Sequence, residues 1–258
     1  MKITTIILDW AGTTVDFGSL APIAAFAAAF EAHGVTATPD EIRAPMGLPK
    51  HTHIAMMLSG ERLAAAWEKK HGRTHTDADI DTIYAKFEET LFESLTNYAN
   101  PLPGALEAVA EIRGMGIKIG STTGYTRPMM DVVAPLAKEQ GYAPDCLVCP
   151  ADVGHGRPYP YMVWRNLELL GTQSIAEVLK IGDTEADMHE GKAAGCLSVG
   201  VVVGSSLLGL SESEFTSLSA EDRTAQIEQT RQAYFAAGAN FVIDSIKDLP
   251  ALIRALGG

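Results

Sequence analysis

The chain has 258 residues, of which 47% are hydrophobic and 20% are charged, and its 32 acidic and 20 basic side chains give a formal net charge of −12. This length and composition suit a globular protein with one large domain, or a domain with an insert, and they argue against disorder. The acidic excess argues against a nucleic-acid or anionic-membrane partner, because both need clustered positive charge, and leaves a small molecule as the expected ligand.

The first apolar run is short and ends at an acidic residue. It covers residues 3–8 and is followed by Asp9, so it is shorter than the apolar core of a secretory signal. No stretch approaches the 18 apolar residues of a membrane span. The three cysteines are an odd number in a chain that is large enough to fold without disulfides. We therefore expect a cytoplasmic protein.

Six short apolar runs alternate with amphipathic stretches along most of the chain. The runs predict strands over residues 3–8, 117–123, 146–150, 178–183, 197–203 and 240–244. The stretches between them predict helices over residues 104–116, 127–141, 160–171 and 185–195. Strands that are apolar on both faces and alternate with helices indicate a parallel sheet covered on both sides. The predicted fold class is therefore α/β, with a doubly wound, Rossmann-like core domain.

One long segment breaks this alternation. Between residues 20 and 100 the sequence has no convincing strand, and helix-like patterns occupy residues 21–34, 53–72 and 77–99. The turn NPLPG, at residues 100–104, marks the return of the strand pattern. We predict an α-helical cap domain over residues 20–100, inserted into a core domain made of residues 1–19 and 101–258.

Carboxylates follow two of the predicted strands. Asp9 comes directly after the first strand and Asp183 ends the fourth, with Asp187 close behind. Because the carboxyl ends of parallel strands meet at one crevice, we expect these side chains to converge there. Mg²⁺ would relieve their repulsion, since it binds one or two carboxylates together with water and substrate oxygens. Taken alone, Asp187 fits a helix-capping residue equally well.

Groups that could bind a phosphate follow the second and third strands. The hydroxyl of Thr123 and the backbone of Gly124 could hold phosphate oxygens, and Arg157 supplies a cation. Arginines in loops are mostly solvated. However, Arg157 lies after the third strand and just before the next helix, so it could face the same crevice.

Together, and in this order, these motifs resemble the haloacid dehalogenase superfamily. The resemblance implies that Asp9 is a nucleophile that accepts a phosphoryl group as an aspartyl phosphate. It also implies that Thr123 and Arg157 bind the phosphate, that Asp183 is a magnesium ligand, and that Asp187 holds the ligand waters.

The sequence departs from that superfamily at one position. Its phosphatases usually carry a second aspartate two residues after the nucleophile, which protonates the leaving oxygen. Here that residue is Ala11. Either the protein is an impaired phosphatase, or its leaving group needs no proton from that position. Ala11 would still offer its backbone carbonyl to the metal.

The predicted cap contains a lysine in an unusual place. Lys50 follows Pro49, which favours a helix start, and His53 lies three residues further on, so the two can share a helix face. Most lysines are solvated, and a surface position is the commoner interpretation. A helix N-terminus nevertheless disfavours a cation and would favour the neutral, nucleophilic amine.

A more specific resemblance covers nearly the whole chain. The stretches similar to the phosphonoacetaldehyde hydrolase family are LDWAGTTVDFGS, APMGLPKHTHI, KIGSTTGYTRPMM, GRPYPYM, IGDTEADMHEGKAAG and the late loop VGSSLLGLSESEF. The resemblance implies a phosphonate substrate, cleavage of its C–P bond, and a Schiff base on Lys50 with His53 and Met46 as neighbours. His53 is the candidate for proton transfer. It also suggests a homodimer formed through the cap.

Two other functions remain open from the sequence alone. One is a general phosphatase or phosphomutase of the same superfamily, against which Ala11 argues. The other is a degenerate binding domain, against which the joint presence of Asp9, Thr123, Arg157 and Asp183 argues.

Overall fold

Six short apolar segments form one parallel sheet in the computed structural model, which describes residues 2–257. Its strands are Thr5–Leu8 (β1), Lys118–Thr122 (β2), Cys146–Val148 (β3), Val178–Gly182 (β4), Leu197–Val201 (β5) and Phe241–Ile243 (β6). All neighbouring strands are parallel, in the order β3-β2-β1-β4-β5-β6. The six predicted strands and the doubly wound fold class are therefore confirmed. Residues 1 and 258, which we placed in the core domain, lie outside the described residues.

A helical insertion separates β1 from β2. Its helices are Leu20–Ala32 (α1), Pro39–Arg43 (α2), Lys50–Ser59 (α3), Glu61–His71 (α4) and Asp77–Ser94 (α5), followed by a 3-10 turn over Leu95–Tyr98. The single helix predicted over residues 53–72 is wrong, because Gly60 takes an extended conformation (φ −69°, ψ 134°) and divides it into two. Helix α2 was not predicted. It begins at a capping box between Thr38 and Glu41.

The insertion has its own apolar centre. Helix α1 turns one face towards α5, where the ring of Phe26 stacks on Phe87 with 4.1 Å between centroids. Phe30 and Leu91 are fully buried from the same two helices. The alanine-rich sequence of α1 has high helix propensity, and its small side chains let the two helices approach closely.

The remaining helices cover the sheet. They are Ala105–Gly114 (α6), Arg127–Glu139 (α7), Tyr161–Leu170 (α8), Glu185–Ala194 (α9), Glu212–Ser217 (α10), Ala220–Ala236 (α11) and Leu249–Gly257 (α12). The four core helices predicted from the sequence correspond to α6–α9 and are confirmed. No helix within residues 2–257 is both long and apolar enough to cross a membrane.

Two adjacent linkers join the insertion to the core. Val15 and Pro101 form an antiparallel bridge, and the backbone N–H of Leu102 donates to the carbonyl of Thr14 over 2.8 Å. Asp16 has a left-handed backbone (φ 56°), and its carboxylate accepts hydrogen bonds from the first two N–H groups of α1. Burial raises the pKa of Asp16 to about 7.

The sheet order places two carboxylates together. The order runs outward in both directions from the pair β1 and β4, so the switch point of the fold lies between them. Asp9 follows β1 and Asp183 follows β4, and the Asp9 N–H continues the sheet by donating to the carbonyl of Ile181 over 3.0 Å. The topology therefore brings both side chains to one crevice, as predicted.

Candidate active site

A small cavity lies where the helical insertion meets the strand ends. The core contributes Asp9, Ala11, Ser19, Thr123, Gly124, Tyr125, Arg157 and Thr184, and the insertion contributes Met46, Gly47 and Lys50. The cavity volume is about 20 Å³, which suffices for about one water molecule. Most of the residues singled out in the sequence therefore surround one space.

Three carboxylates meet at the sheet edge. One oxygen atom each of Asp9, Asp183 and Asp187 lies within 4.8 Å of the other two. Burial, together with the charge of Asp9, raises the pKa of Asp183 well above its usual range. A set of oxygen donors whose charges repel one another fits a hard divalent cation, and Mg²⁺ matches this donor chemistry.

Asp183 is held by hydrogen-bond donors from two other loops. Its Oδ2 accepts from the backbone N–H and the hydroxyl of Ser206, both over 2.8 Å, and its Oδ1 accepts from the Thr13 hydroxyl over 3.3 Å. Gly12 has φ 85°, and a Cβ there would lie 2.2 Å from Asp183 Oδ2. The loop after β1 can therefore reach Asp183 only because residue 12 is glycine.

Asp187 differs from Asp183 in that it forms ion pairs with two buried cations. Its Oδ1 pairs with Lys180 and with Arg157, the latter over 2.9 Å, and its Oδ2 accepts from the Thr184 hydroxyl over 2.6 Å. Burial opposes ionisation, yet the charges of Arg157 and Lys180 hold the pKa of Asp187 below its usual range. Because Oδ1 of Asp187 already pairs with two cations, the arrangement favours an indirect role for Asp187 beside a metal ion.

Arg157 is a buried cation that contacts Asp9. It is 3% exposed, and its Nη2 donates to Asp9 Oδ1 over 2.6 Å and to the Thr122 hydroxyl over 2.9 Å. Its Nε donates to Glu190 Oε2 over 3.0 Å. The loop between β3 and α8 thus places a buried guanidinium beside Asp9, where it can also bind oxygen atoms of an anionic substrate.

Two members of this network were not predicted from the sequence. Lys180, in the middle of β4, and Glu190, in α9, are both fully buried, and their charged atoms lie 3.6 Å apart. A signal was present, because Lys180 interrupts an otherwise apolar strand and Glu190 lies three residues after Asp187 on one helix face. Glu190 also pairs with Arg157, so Lys180 and Glu190 belong to the same buried network of charges as the carboxylates of the site.

The insertion presents Lys50 to the cavity from the opposite side. Lys50 is the first residue of α3, directly after Pro49, and it is 4% exposed. Its Nζ lies 5.7 Å from the ring centroid of Phe26 and 5.4 Å from that of Tyr125. Burial lowers the pKa of Lys50 to about 8, although the charge of Asp9 opposes the shift. A substantial fraction of the amine is therefore neutral near pH 8.

His53 and Met46 take different positions around Lys50. Met46 is buried and lines the cavity. His53 lies one helical turn beyond Lys50, outside the cavity lining, and its ring stacks on Phe26 with 4.0 Å between centroids. Burial and the charge of Lys50 lower the pKa of His53 well below its usual range, so the imidazole is neutral.

The loop before Lys50 lies directly on the core. Gly47 has φ 87°, and a Cβ there would lie 2.4 Å from the hydroxyl oxygen of Thr184. A Cβ on Gly124 would lie 3.0 Å from the carbonyl oxygen of Gly47. Glycines on both sides of the contact therefore let the insertion close over the predicted phosphate-binding backbone.

Comparison with known proteins places the chain in a family. The model of the haloacid dehalogenase-like hydrolases matches residues 3–195. The chain is 47% identical over 257 residues to a phosphonoacetaldehyde hydrolase of Lysinibacillus sphaericus, covering 99% of this chain and 96% of that protein. Identity to a phosphonoacetaldehyde hydrolase of Bacillus anthracis is 46% over 256 residues, with 99% and 97% covered. The chain belongs to the phosphonoacetaldehyde hydrolase family of haloacid dehalogenase-like hydrolases.

Solved structures agree with this membership of the haloacid dehalogenase-like hydrolases. A phosphonoacetaldehyde hydrolase-like protein from Oleispira antarctica superimposes with a TM-score of 0.97 at 36% identity, covering 100% of this chain and 93% of that one. A hydrolase from Pseudomonas syringae superimposes with a TM-score of 0.70 at 20% identity, covering 99% and 100%, and is similar in fold. The chain is therefore a hydrolase with the fold predicted from its sequence.

Replacing Gly12 by alanine tests the close approach to Asp183. Gly72 is the matched control, because it also has a positive φ (71°) but a Cβ there would meet nothing within 4 Å. We expect Gly72→Ala to lower the free energy of unfolding by about 1–2 kcal/mol, the cost of the left-handed backbone. Gly12→Ala should cost about 1–3 kcal/mol more, from the contact with the carboxylate. Urea unfolding measures both, and equal losses would contradict the steric argument.

Proposed function

We propose that this chain cleaves the C–P bond of phosphonoacetaldehyde and releases acetaldehyde and phosphate. One observation carries the proposal: a carboxylate of the core, Asp9, and a buried lysine of the insertion, Lys50, line the same cavity. Ala11 lines it too, at the position where a phosphatase would carry its general acid. The names of the relatives, at up to 47% identity over nearly the full chain, point to the same substrate.

The first step is imine formation on Lys50. The neutral amine attacks the aldehyde carbon, and the carbonyl oxygen leaves as water with one proton from the amine and one from solvent; the proton that stays on nitrogen gives a protonated imine. Burial of Lys50 favours the unprotonated amine needed for attack. The rings of Phe26 and Tyr125 on either side of Nζ limit the positions that the attached carbon can take.

The second step breaks the P–C bond. A carboxylate oxygen of Asp9 attacks phosphorus, and the electron pair of the P–C bond moves into the protonated imine, which becomes an enamine. The leaving carbon therefore needs no proton when it departs. This chemistry explains why a methyl group at Ala11 is sufficient where an ester hydrolase needs an acid.

The remaining steps release both products. Protonation of the enamine carbon and attack of water on the imine give acetaldehyde and the free amine of Lys50. Attack of water on the aspartyl phosphate gives phosphate and restores the carboxylate of Asp9. His53 is our candidate for moving a proton on the Lys50 side, because it lies one helical turn from Lys50 on α3.

Asp9, Asp183 and the backbone carbonyl of Ala11 would hold Mg²⁺, with Asp187 beside them. The bound ion would supply positive charge to the phosphoryl oxygens. Arg157 would add a second cation from the opposite loop, and Thr123 and Gly124 would donate hydrogen bonds to the same oxygens. The pairing of Arg157 with Asp9 also fixes the orientation of the attacking carboxylate.

Substrate entry requires the insertion to move. The cavity between Asp9 and Lys50 has room for about one water molecule, far less than phosphonoacetaldehyde needs. We therefore propose that residues 20–100 act as a cap that opens about the linkers at residues 15–19 and 99–102. Closure would exclude bulk water until the P–C bond has broken.

Borohydride trapping of Lys50 tests the central step. With substrate present, borohydride should reduce the imine and leave a covalent adduct on Lys50, found by mass spectrometry of the digested protein. Lys50→Arg keeps the positive charge but should form no adduct and lose about 10³-fold or more in kcat/KM. Lys86→Ala, which removes an exposed lysine of the same insertion, should behave like the wild type. An adduct in Lys50→Arg, or normal turnover, would rule out the imine mechanism.

The rate of trapping should depend on pH in a defined direction. Because burial lowers the pKa of Lys50 to about 8, the neutral fraction of the amine grows as the pH rises through that value. Imine formation should therefore accelerate between about pH 7 and pH 9 and then level off. A rate that rises only near the usual pKa of a solvated lysine would contradict the buried environment of Lys50.

Substitution of Ala11 separates C–P cleavage from ester hydrolysis. Ala11→Asp places a carboxylate beside the phosphonate, and its repulsion should lower kcat/KM for phosphonoacetaldehyde by about tenfold or more. Ala11→Asn is the control, because it has a similar volume without the charge. If Ala11→Asp instead improves hydrolysis of phosphate monoesters, a general phosphatase or phosphomutase is the better description. Steady-state kinetics on both substrates decide between the two.

We also propose a homodimer formed through the cap. Phe26 and Phe30 of α1 are buried inside the cap and are not available for a dimer contact. Such a contact on this helix would involve residues that are at least partly exposed, namely Ile23, Ala24 and Ala27. Sedimentation equilibrium that finds only monomers would contradict the dimer.

The three cysteines are unpaired, which supports operation in a reducing compartment such as the cytoplasm. Location of the tagged protein in fractionated cells tests that expectation.

A further inference from the structure

The late loop that the sequence analysis noted without assigning a role is an unusual element. Residues 203–210, which we call the seam loop, follow β5 and have no regular secondary structure. Five of them are nevertheless buried: Gly204, Ser205, Ser206, Leu208 and Gly209. A buried loop must satisfy its backbone polar groups, so its hydrogen bonds indicate what it is built to hold.

Ser205 stabilises the seam loop through three hydrogen bonds. Its hydroxyl accepts from the N–H of Leu208 over 2.9 Å, and its carbonyl accepts from the N–H of Gly209 over 3.1 Å. Its own N–H donates to the carbonyl of Val202 over 3.1 Å. Ser206 and Gly209 therefore belong to one compact turn, so that a displacement of one displaces the other.

The two ends of this turn contact different parts of the molecule. At one end, Ser206 donates twice to Oδ2 of Asp183. At the other end, the carbonyl of Gly209 accepts from Nη2 of Arg43, at the end of α2, over 2.6 Å. Gly209 has φ 71°, and a Cβ there would lie 2.6 Å from Arg43 Nε, so the guanidinium packs directly on this residue.

The seam loop also touches the linker into the cap. The N–H of Gly18 donates to the carbonyl of Gly204 over 2.7 Å. A Cβ on Gly18 would lie 2.5 Å from the carbonyl oxygen of Leu210. The loop is thus anchored at the linker, where the cap turns, and Arg43 is the contact that depends on how far the cap is closed.

We propose that Arg43 is a positioning residue for Asp183. In the closed state, Arg43 holds Gly209, the Ser205 turn carries that restraint to Ser206, and Ser206 orients the Asp183 carboxylate. Opening of the cap withdraws Arg43 and loosens this orientation. The inference rests on the proposed function only in taking Asp183 as a metal ligand. By reciprocity, metal binding at Asp183 favours the closed cap to the same degree.

The experiment measures Mg²⁺ affinity directly. Isothermal titration with Mg²⁺ alone, without substrate, compares the wild type with Arg43→Met, Ser206→Ala and the double variant. Arg73→Met is the matched control, because Arg73 is also a cap arginine but its hydrogen bonds go to the Thr74 carbonyl and to Asp79 in α5, not to α2. Circular dichroism verifies that each variant is folded.

Ser206→Ala should weaken Mg²⁺ binding about tenfold, as expected for loss of a group that orients a ligand. Arg43→Met should weaken it about fivefold, although Arg43 does not hydrogen-bond to Asp183. The double variant should be little weaker than Ser206→Ala, because both changes interrupt one chain of contacts. Arg43→Lys keeps a donor and should recover part of the affinity, and Arg73→Met should bind like the wild type.

Two results would overturn the proposal. One is wild-type affinity in Arg43→Met, and the other is a double variant whose loss equals the product of the two single losses. The outcomes are separate from those that test the proposed function, since no phosphonoacetaldehyde is used. A protein that binds Mg²⁺ with this coupling but does not cleave the phosphonate would refute the proposed function alone. A wild type that binds no Mg²⁺ would refute both the metal assignment and this inference.

Discussion

The repulsion among carboxylates buried at the switch point of the sheet is the constraint on which the site depends. Asp9 and Asp183 are brought together by the order of β1 and β4, before any cation is considered. Burial removes the water that would otherwise screen them. Buried cations offset this repulsion, Arg157 and Lys180 from the core and Lys50 from the cap. In our proposal a divalent ion between the carboxylates adds to them.

The same constraint explains why the cap and the core meet so closely. Lys50 can act as a neutral amine only where water is excluded, and its exclusion depends on Gly47 and Gly124 letting the two surfaces touch. In the proposed closure Tyr125 of the core meets Lys50, whose other aromatic neighbour, Phe26, belongs to the cap itself. In our proposal the cap is part of the reacting site, because it supplies the amine and completes its apolar surroundings.

The fold and the chemistry at the strand ends followed from the sequence, because alternating strands and helices allow one sheet type and strand ends carry the polar residues. Asp9 and Asp183 could be placed in this way, and Lys50 by resemblance. Lys180 and Glu190 carried a sequence signal that was missed, but their burial and their pairing depend on how α9 packs on β4. The break at Gly60 was missed although the pair Ser59 and Gly60 is a turn signal, because helical patterns continue on both sides of it.

The division of the reacting groups between two bodies has a consequence for the products. Under the proposed mechanism the substrate is bonded to Lys50 on the cap and to Asp9 on the core at the moment when its P–C bond breaks. The two-carbon fragment then remains on the cap and the phosphoryl group on the core. When the cap opens, it carries the two fragments apart, so that the nucleophilic enamine carbon loses contact with the phosphorus atom. Domain motion would thereby make the cleavage directional, with no side chain dedicated to preventing recombination.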